Sequence, residues 1–178
     1  MLYKLTNPDF TTHGICLWGE NVTHTADGEG ELCSEHWLHA YEHPLIAVFM
    51  NPIHGDFSNP ILWECDGIVG ITDHGLKVGC TSLTTLRQIP LPVVTTEQCV
   101  RFAIACAVSV YQEPSFISWA MSWIYGTDRS RKAALAAAAE TPTTEGTLDL
   151  VTCAEWAMSD NINLPIVIKE MNAVSYPL

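Results

Sequence analysis

Residues 61–89 read ILWECDGIVGITDHGLKVGCTSLTTLRQI, and the β-branched residues in this stretch decide the fold. Three segments within it, 61–71, 76–80 and 83–89, are rich in Val, Ile, Leu and Thr and are punctuated by glycine. That texture predicts strands of an antiparallel sheet. Upstream, residues 1–6 alternate apolar and polar side chains as a strand does, and Asn7-Pro8-Asp9 is a turn signal. Residues 14–18 are expected to form a second strand and 19–31 a polar, glycine-bearing loop, while 32–41 fit either state. Residues 44–50 (PLIAVFM) begin with proline at a first-turn position, which predicts a short buried helix stopped by Asn51-Pro52, with loop over 53–60.

Beyond Pro90 and Pro92 the periodicity changes from two to about three and a half. Thr95 and Gln98 have the spacing of a capping box, and Val100, Ile104, Ala107, Val108 and Tyr111 follow at helical intervals. Pro114 starts a second helix that Gly126 terminates, with Trp119 and Trp123 expected on its core-facing side because residues four apart share a face. Asp128 is the expected cap of an alanine-rich helix over 129–140, and a further helix is expected over 147–159; in 165–171 Ile-Val-Ile suggests a strand while Pro165 suits a helix start, and helix is the preferred reading. Strands first and helices later make an α+β chain: one domain over 1–178, β-rich over 1–92 and helical over 93–178.

Bulk properties narrow the function. Hydrophobic residues make up 48% of the 178, which excludes an intrinsically disordered chain. No apolar run approaches the ~20 residues that span a bilayer. The segment MLYKLTNPDF lacks the features of a signal peptide, and the seven cysteines are scattered with no CxxC pair. Both features lead to the expectation of reduced thiols in a cytoplasm. A net charge of −12 argues against direct nucleic-acid binding, which requires clustered Lys and Arg. Between Lys4 and Lys77 there is no Lys or Arg, while the interval holds Asp9, Glu20, Asp27, Glu29, Glu31, Glu35, Glu42, Asp56, Glu64, Asp66 and Asp73. Such a surface serves solubility, or it attracts a partner that normally grips nucleic acid.

The chemistry-bearing motifs are sparse. GxSxG, GxxxxGK and a strand-linked GxGxxG are all missing from the sequence. All seven histidines fall in the first 74 residues, and Cys33, His36, His39 and His43 fall within eleven positions. Because that group has no second ligand pair at zinc-finger spacing, neither a metal nor any other cofactor is expected. The better candidate for a ligand pocket is Trp37, His39 and Tyr41, joined by His54 and by Glu64 from a neighbouring strand, since aromatic platforms with polar donors are what small-molecule sites use. Arg129-x-Arg131-Lys132 is the one positive cluster, expected on a solvated helix face.

At residues 28–41 (GEGELCSEHWLHAY), 51–64 (NPIHGDFSNPILWE) and 76–102 (LKVGCTSLTTLRQIPLPVVTTEQCVRF) the chain resembles a family of small proteins encoded by bacteriophages and prophages. The resemblance covers roughly residues 1–125 and supplies no catalytic residues to carry over. It implies a phage accessory protein in a host bacterial cytosol. Two functions are then expected. One is binding of a host protein, such as a nucleic-acid-binding or defence protein, through the acidic surface that Glu20, Asp27, Glu29, Glu31, Glu35 and Glu42 help to form, in the manner of an anti-defence inhibitor or nucleic-acid mimic. The other is a small nucleotide- or ligand-handling enzyme or sensor, ADP-ribosyltransferase-like in its strand order, working from the histidine-aromatic pocket.

Overall fold

In a computed structural model, which describes residues 1–13, 16–73 and 75–140 together with 154, 157 and 158, the chain begins with strands β1 (Leu2–Thr6), β2 (Val22–Thr25) and β3 (Leu38–Ala40). Helix α1 (Pro44–His54) follows, then strands β4 (Ile61–Thr72) and β5 (Val78–Ile89). Helices α2 (Thr96–Val110), α3 (Pro114–Ile124) and α4 (Arg131–Glu140) follow. The fold is α+β. The helices expected over 147–159 and 165–171 lie outside the described residues but for 154, 157 and 158. The chain divides into two compact units, Met1–Val93 and Val94–Leu178.

In the first unit the sheet runs β1-β4-β5-β2, with β3 also paired to β5 and all pairings antiparallel. The β4–β5 hairpin is its spine. Strands β2 and β3 lie end to end along β5, opposite residues 82–85 and 78–80 respectively. Tyr3 and Tyr41 exchange both backbone hydrogen bonds at 2.8 Å, which joins β1 to the end of β3. The circuit β1–β4–β5–β3 therefore closes on itself, leaving fewer open edges. Leu2, Trp18, Ala40, Trp63, Cys65, Val78, Cys80 and Leu83 form the core inside it. Burial of each large apolar side chain there is worth about 1.5–3 kcal/mol. The Trp63 indole N–H, which cannot be left unpaired at that depth, donates to Thr6 Oγ1 at 3.0 Å.

Several local expectations are corrected. Val22–Thr25, expected as loop, is strand β2, because its alternating half-buried and exposed residues suit an edge strand paired to β5. The two strands expected over 76–80 and 83–89 are one: Ser82 and Cys80 pair with the consecutive residues Ile68 and Val69, so Thr81 is a bulge within the ladder and not a break in it. Among the described residues, the strand expected at 14–18 is reduced to a single bridge between Thr11 and Leu17. Helix α1 is one turn longer than expected, running through Pro52 to His54. The proline ring forfeits one backbone hydrogen bond there, while the Asn51 side chain ties the helix end to Phe57 by accepting from its N–H at 3.1 Å and donating to its carbonyl at 3.0 Å.

In the second unit the capping box forms as read: the Thr95 N–H donates to Gln98 Oε1 at 2.7 Å and the Gln98 N–H to Thr95 Oγ1 at 3.2 Å. Such a cap is worth about 1 kcal/mol. The buried face of α3 is Phe116, Ala120 and Ile124, not Trp119 and Trp123, which are half-buried beside it. Helix α4 starts at Arg131, two residues later than expected. Ser130 caps it by accepting from the Ala133 N–H, and Asp128 stands outside, holding the Ser130 N–H at 2.8 Å. Arg129 is consequently not on a helix face: its guanidinium lies 4.5 Å over the Trp123 ring and forks onto Glu97 at 3.0 and 3.2 Å. Among the described residues no helix is long and apolar enough to cross a membrane.

Candidate functional site

A cleft of about 960 Å³ opens in the first unit, and five separated segments of chain line it. Strand β1 contributes Lys4; the segment before β2 contributes His13 and Trp18; the 33–41 segment contributes Cys33, Trp37, His39 and Tyr41; the end of α1 contributes Asn51 and His54; the turn before β5 contributes Asp73 and Lys77. Four of the five residues expected to form a pocket, Trp37, His39, Tyr41 and His54, are brought together. Glu64 is not. It faces its register partner Arg87 across β4 and β5, and the two side chains pair at 2.6 Å, so its carboxylate is engaged away from the cleft.

Trp37 is fixed by the glycines beneath it. A Cβ at Gly70 would stand 2.6 Å from the Trp37 ring, and one at Gly79 would stand 3.0 Å from it and 2.7 Å from both Ile71 and Leu32. Glycine at these strand positions is what lets the indole lie on the sheet. Tyr41 and His54, which also line the cleft, have nearly parallel rings, 6.0 Å between centroids, and the Tyr41 hydroxyl meets His54 Nδ1 at 3.2 Å. Burial pushes the Tyr41 hydroxyl up to about 12 and lowers His54, with Lys77 lowering it further. At pH 7 the hydroxyl keeps its proton and the lowered imidazole is mainly neutral, so one of these two groups donates to the other.

His39 Nε2 is 2.5 Å from the Leu32 carbonyl, which can only accept, so Nε2 carries the proton and Nδ1 is left as an acceptor. Its pKa is lowered, first by burial and then by the positive charges of Lys77 and Lys4. The two lysines thus act on one imidazole. Each is buried, at 7% and 8% exposure. Lys4 Nζ donates to the His39 carbonyl at 2.9 Å and lies 4.6 Å from the centre of the Trp18 ring; burial lowers its pKa to about 8. Lys77 Nζ donates to Cys33 Sγ at 3.1 Å.

The Cys33–His43 cluster is dispersed by the fold. Cys33 meets Lys77, His36 meets Asp27 at 2.8 Å, His39 meets Leu32, and His43 caps α1 by accepting from the Leu45 N–H at 3.3 Å. Among the described residues no three His, Cys, Asp or Glu side chains are grouped as a metal site. The six carboxylates of the expected acidic surface, Glu20, Asp27, Glu29, Glu31, Glu35 and Glu42, are all exposed. Of these, Glu35 also lies at the lip of the cleft.

Sequence reasoning missed Lys4, Lys77 and Cys33 as members of the cleft. A signal for the lysines was present: they are the only Lys or Arg ahead of Arg87, and they bound the cation-free stretch at both ends. Comparison of the chain with protein families, with curated proteins and with solved structures finds no match.

Proposed function

We propose that the first unit handles a small ligand carrying an aromatic body, bound in the cleft between Trp37 and the Tyr41–His54 pair. The observation that carries this reading is the convergence of aromatic, imidazole and ammonium side chains from five chain segments on one concavity. Its volume falls in the range of small-molecule sites, about 300–1,000 Å³, and such sites combine apolar walls with a few placed polar groups. Tyr41 and His54 supply a neutral donor and acceptor pair suited to reading a heteroaromatic edge, as a sensor or a nucleotide-handling enzyme would. Ligand-observed NMR with a panel of nucleosides, nucleotides and aromatic acids tests it. Binding that Tyr41→Phe and His54→Ala weaken supports the reading, and a panel in which no member binds removes it.

A second reading rests on the exposure of all six expected carboxylates, concentrated in the loop from Asp27 to Glu35 that also borders the cleft. In it the protein is a phage accessory factor whose acidic face engages a basic host protein. Charge reversal at Glu29, Glu31 and Glu35 would then abolish capture of that partner from phage-susceptible cells, whereas Tyr41→Phe would not.

A further inference from the structure

We propose that the cleft contains an oxyanion subsite, in which Lys4 and Lys77 bind the carboxylate or phosphate of the aromatic ligand. This inference rests on the ligand-handling reading above and names the chemical class that reading leaves open.

The placement of charge carries it. The chain has 20 carboxylates against 8 Lys and Arg, yet the two cations available before Arg87 are both withdrawn from the surface into the same cleft. A long ammonium side chain ordinarily stays in water, because burying its charge is costly unless something compensates. The compensation inside this protein is partial. Lys4 has three N–H donors and spends one on the His39 carbonyl, with the Trp18 ring beside it. Lys77 donates to Cys33 Sγ, and sulfur is a weak acceptor. Among the described residues neither lysine is in an ion pair, although Asp73 and Glu35 also line the cleft. Glu35 is exposed at the lip, where solvent screens it. Both ammonium groups therefore retain donor capacity, and both residues line the cleft.

The depression of the Lys4 pKa, caused by burial, is consistent with an ammonium awaiting a counter-charge. His39 adds to the same environment. Its Nε2 proton is committed to Leu32 and both lysines disfavour its cationic form, so it stays neutral and does not compete with the lysines for an anion. An oxyanion between Lys4 and Lys77 would restore the balance that the fold leaves open, with Trp37, Tyr41 and His54 holding the rest of the ligand.

The test uses matched pairs that differ only in the anionic group, titrated calorimetrically into the full chain: adenosine monophosphate against adenosine, and indole-3-acetate against 3-methylindole. The expected result is that the anionic member of at least one pair binds tenfold or more tightly than its neutral partner. Which pair responds distinguishes phosphate from carboxylate. Lys77→Met and Lys4→Met should each erase that preference, and inorganic phosphate should compete with the anionic member. If neutral and anionic members bind alike, the subsite is overturned while the ligand-handling reading stands. If no member of either pair binds and the wider panel is also silent, the ligand-handling reading itself falls. The wild-type comparison needs no variant, so a misfolded Lys4→Met protein would not blunt it.

Discussion

The ammonium of Lys4 donates to the backbone carbonyl of His39 at 2.9 Å, across a separation of 35 residues. That contact ties β1 to β3 alongside the Tyr3–Tyr41 backbone pair, so a charged side chain helps to close the strand circuit around the core. It also bears on the cleft, because the peptide that accepts from Lys4 carries the imidazole that Lys4 and Lys77 both influence. Closure of the sheet and electrostatics of the cleft are therefore coupled through one residue.

The exposed pair of His36 and Asp27 lies outside the residues that line the cleft. The hydrogen bond to Asp27, and then its negative charge, raise the His36 pKa, while the same hydrogen bond lowers Asp27. A raised folded-state histidine pKa means that the pair's contribution is fully present below the unfolded value and is lost as pH rises through the folded one. Histidine-resolved NMR titration should place His36 above the ordinary value of about 6.5, and Asp27→Asn should return it there. An unchanged midpoint in the Asn variant would reject the pairing.

Trp37 and the glycines under it form a packing unit, and its two sides can be probed separately. Trp37→Ala should cost about 3–5 kcal/mol, the usual range for emptying a buried tryptophan site. Gly79→Ala should cost about 1–3 kcal/mol, because the new methyl meets Ile71 and Leu32 at 2.7 Å on a sheet that has little room to yield. Urea unfolding measures both. A Gly79→Ala protein as stable as wild type would show that the indole does not sit on the sheet as described.

What the sequence made legible follows from how local each signal is. The capping box at Thr95–Gln98 and the glycine after α3 depend on residues three or four apart, and both formed as read. Strand β2 was not legible because Val-Thr-His-Thr becomes a strand only when β5 offers it an edge, and that pairing spans about sixty residues. In the pocket, Trp37, His39 and Tyr41 were visible as one short cluster, whereas Lys4 reaches it from β1 and Lys77 from the turn before β5. Glu64 failed for a related reason: its partner Arg87 is fixed by the β4–β5 register, which local pattern does not set.

In α3 the face that carries stability differs from the one that the tryptophans suggest. Phe116 is 5% exposed and Ile124 is 4% exposed, while Trp123 is half-buried under Arg129. Phe116→Ala should therefore cost about 3–5 kcal/mol, and Trp123→Ala around 1 kcal/mol. Thermal melting of the two variants gives the comparison. Equal losses would return Trp123 to the core.

The last prediction concerns Lys4, whose pKa falls from 10.5 to about 8, chiefly through burial, with Cys65, Cys16 and Cys80 opposing the fall. Between those two pH values the unfolded chain holds the lysine proton and the native chain has released it. Stability rises with pH wherever the unfolded state binds more protons, so this group makes the native state more stable as pH climbs from about 8 toward 10.5. At about 1.4 kcal/mol per pH unit the full gain is about 3 kcal/mol. Other buried groups oppose it over part of the range. Burial raises Cys65 to about 12, Cys80 to about 11 and Tyr41 to about 12, so the native state keeps those protons longer and is weakened as pH passes their ordinary values. Lys4→Met removes the ammonium at similar volume and leaves the opposing groups in place. Its stability at pH 7 should match or exceed that of wild type, because a buried ammonium with partial compensation is replaced by an apolar chain. Measured by urea unfolding between pH 7 and 10, wild type should gain on Lys4→Met steadily above pH 8. Two parallel curves would mean that Lys4 is not buried as a charge, and the argument for an anion beside it would lose its electrostatic basis.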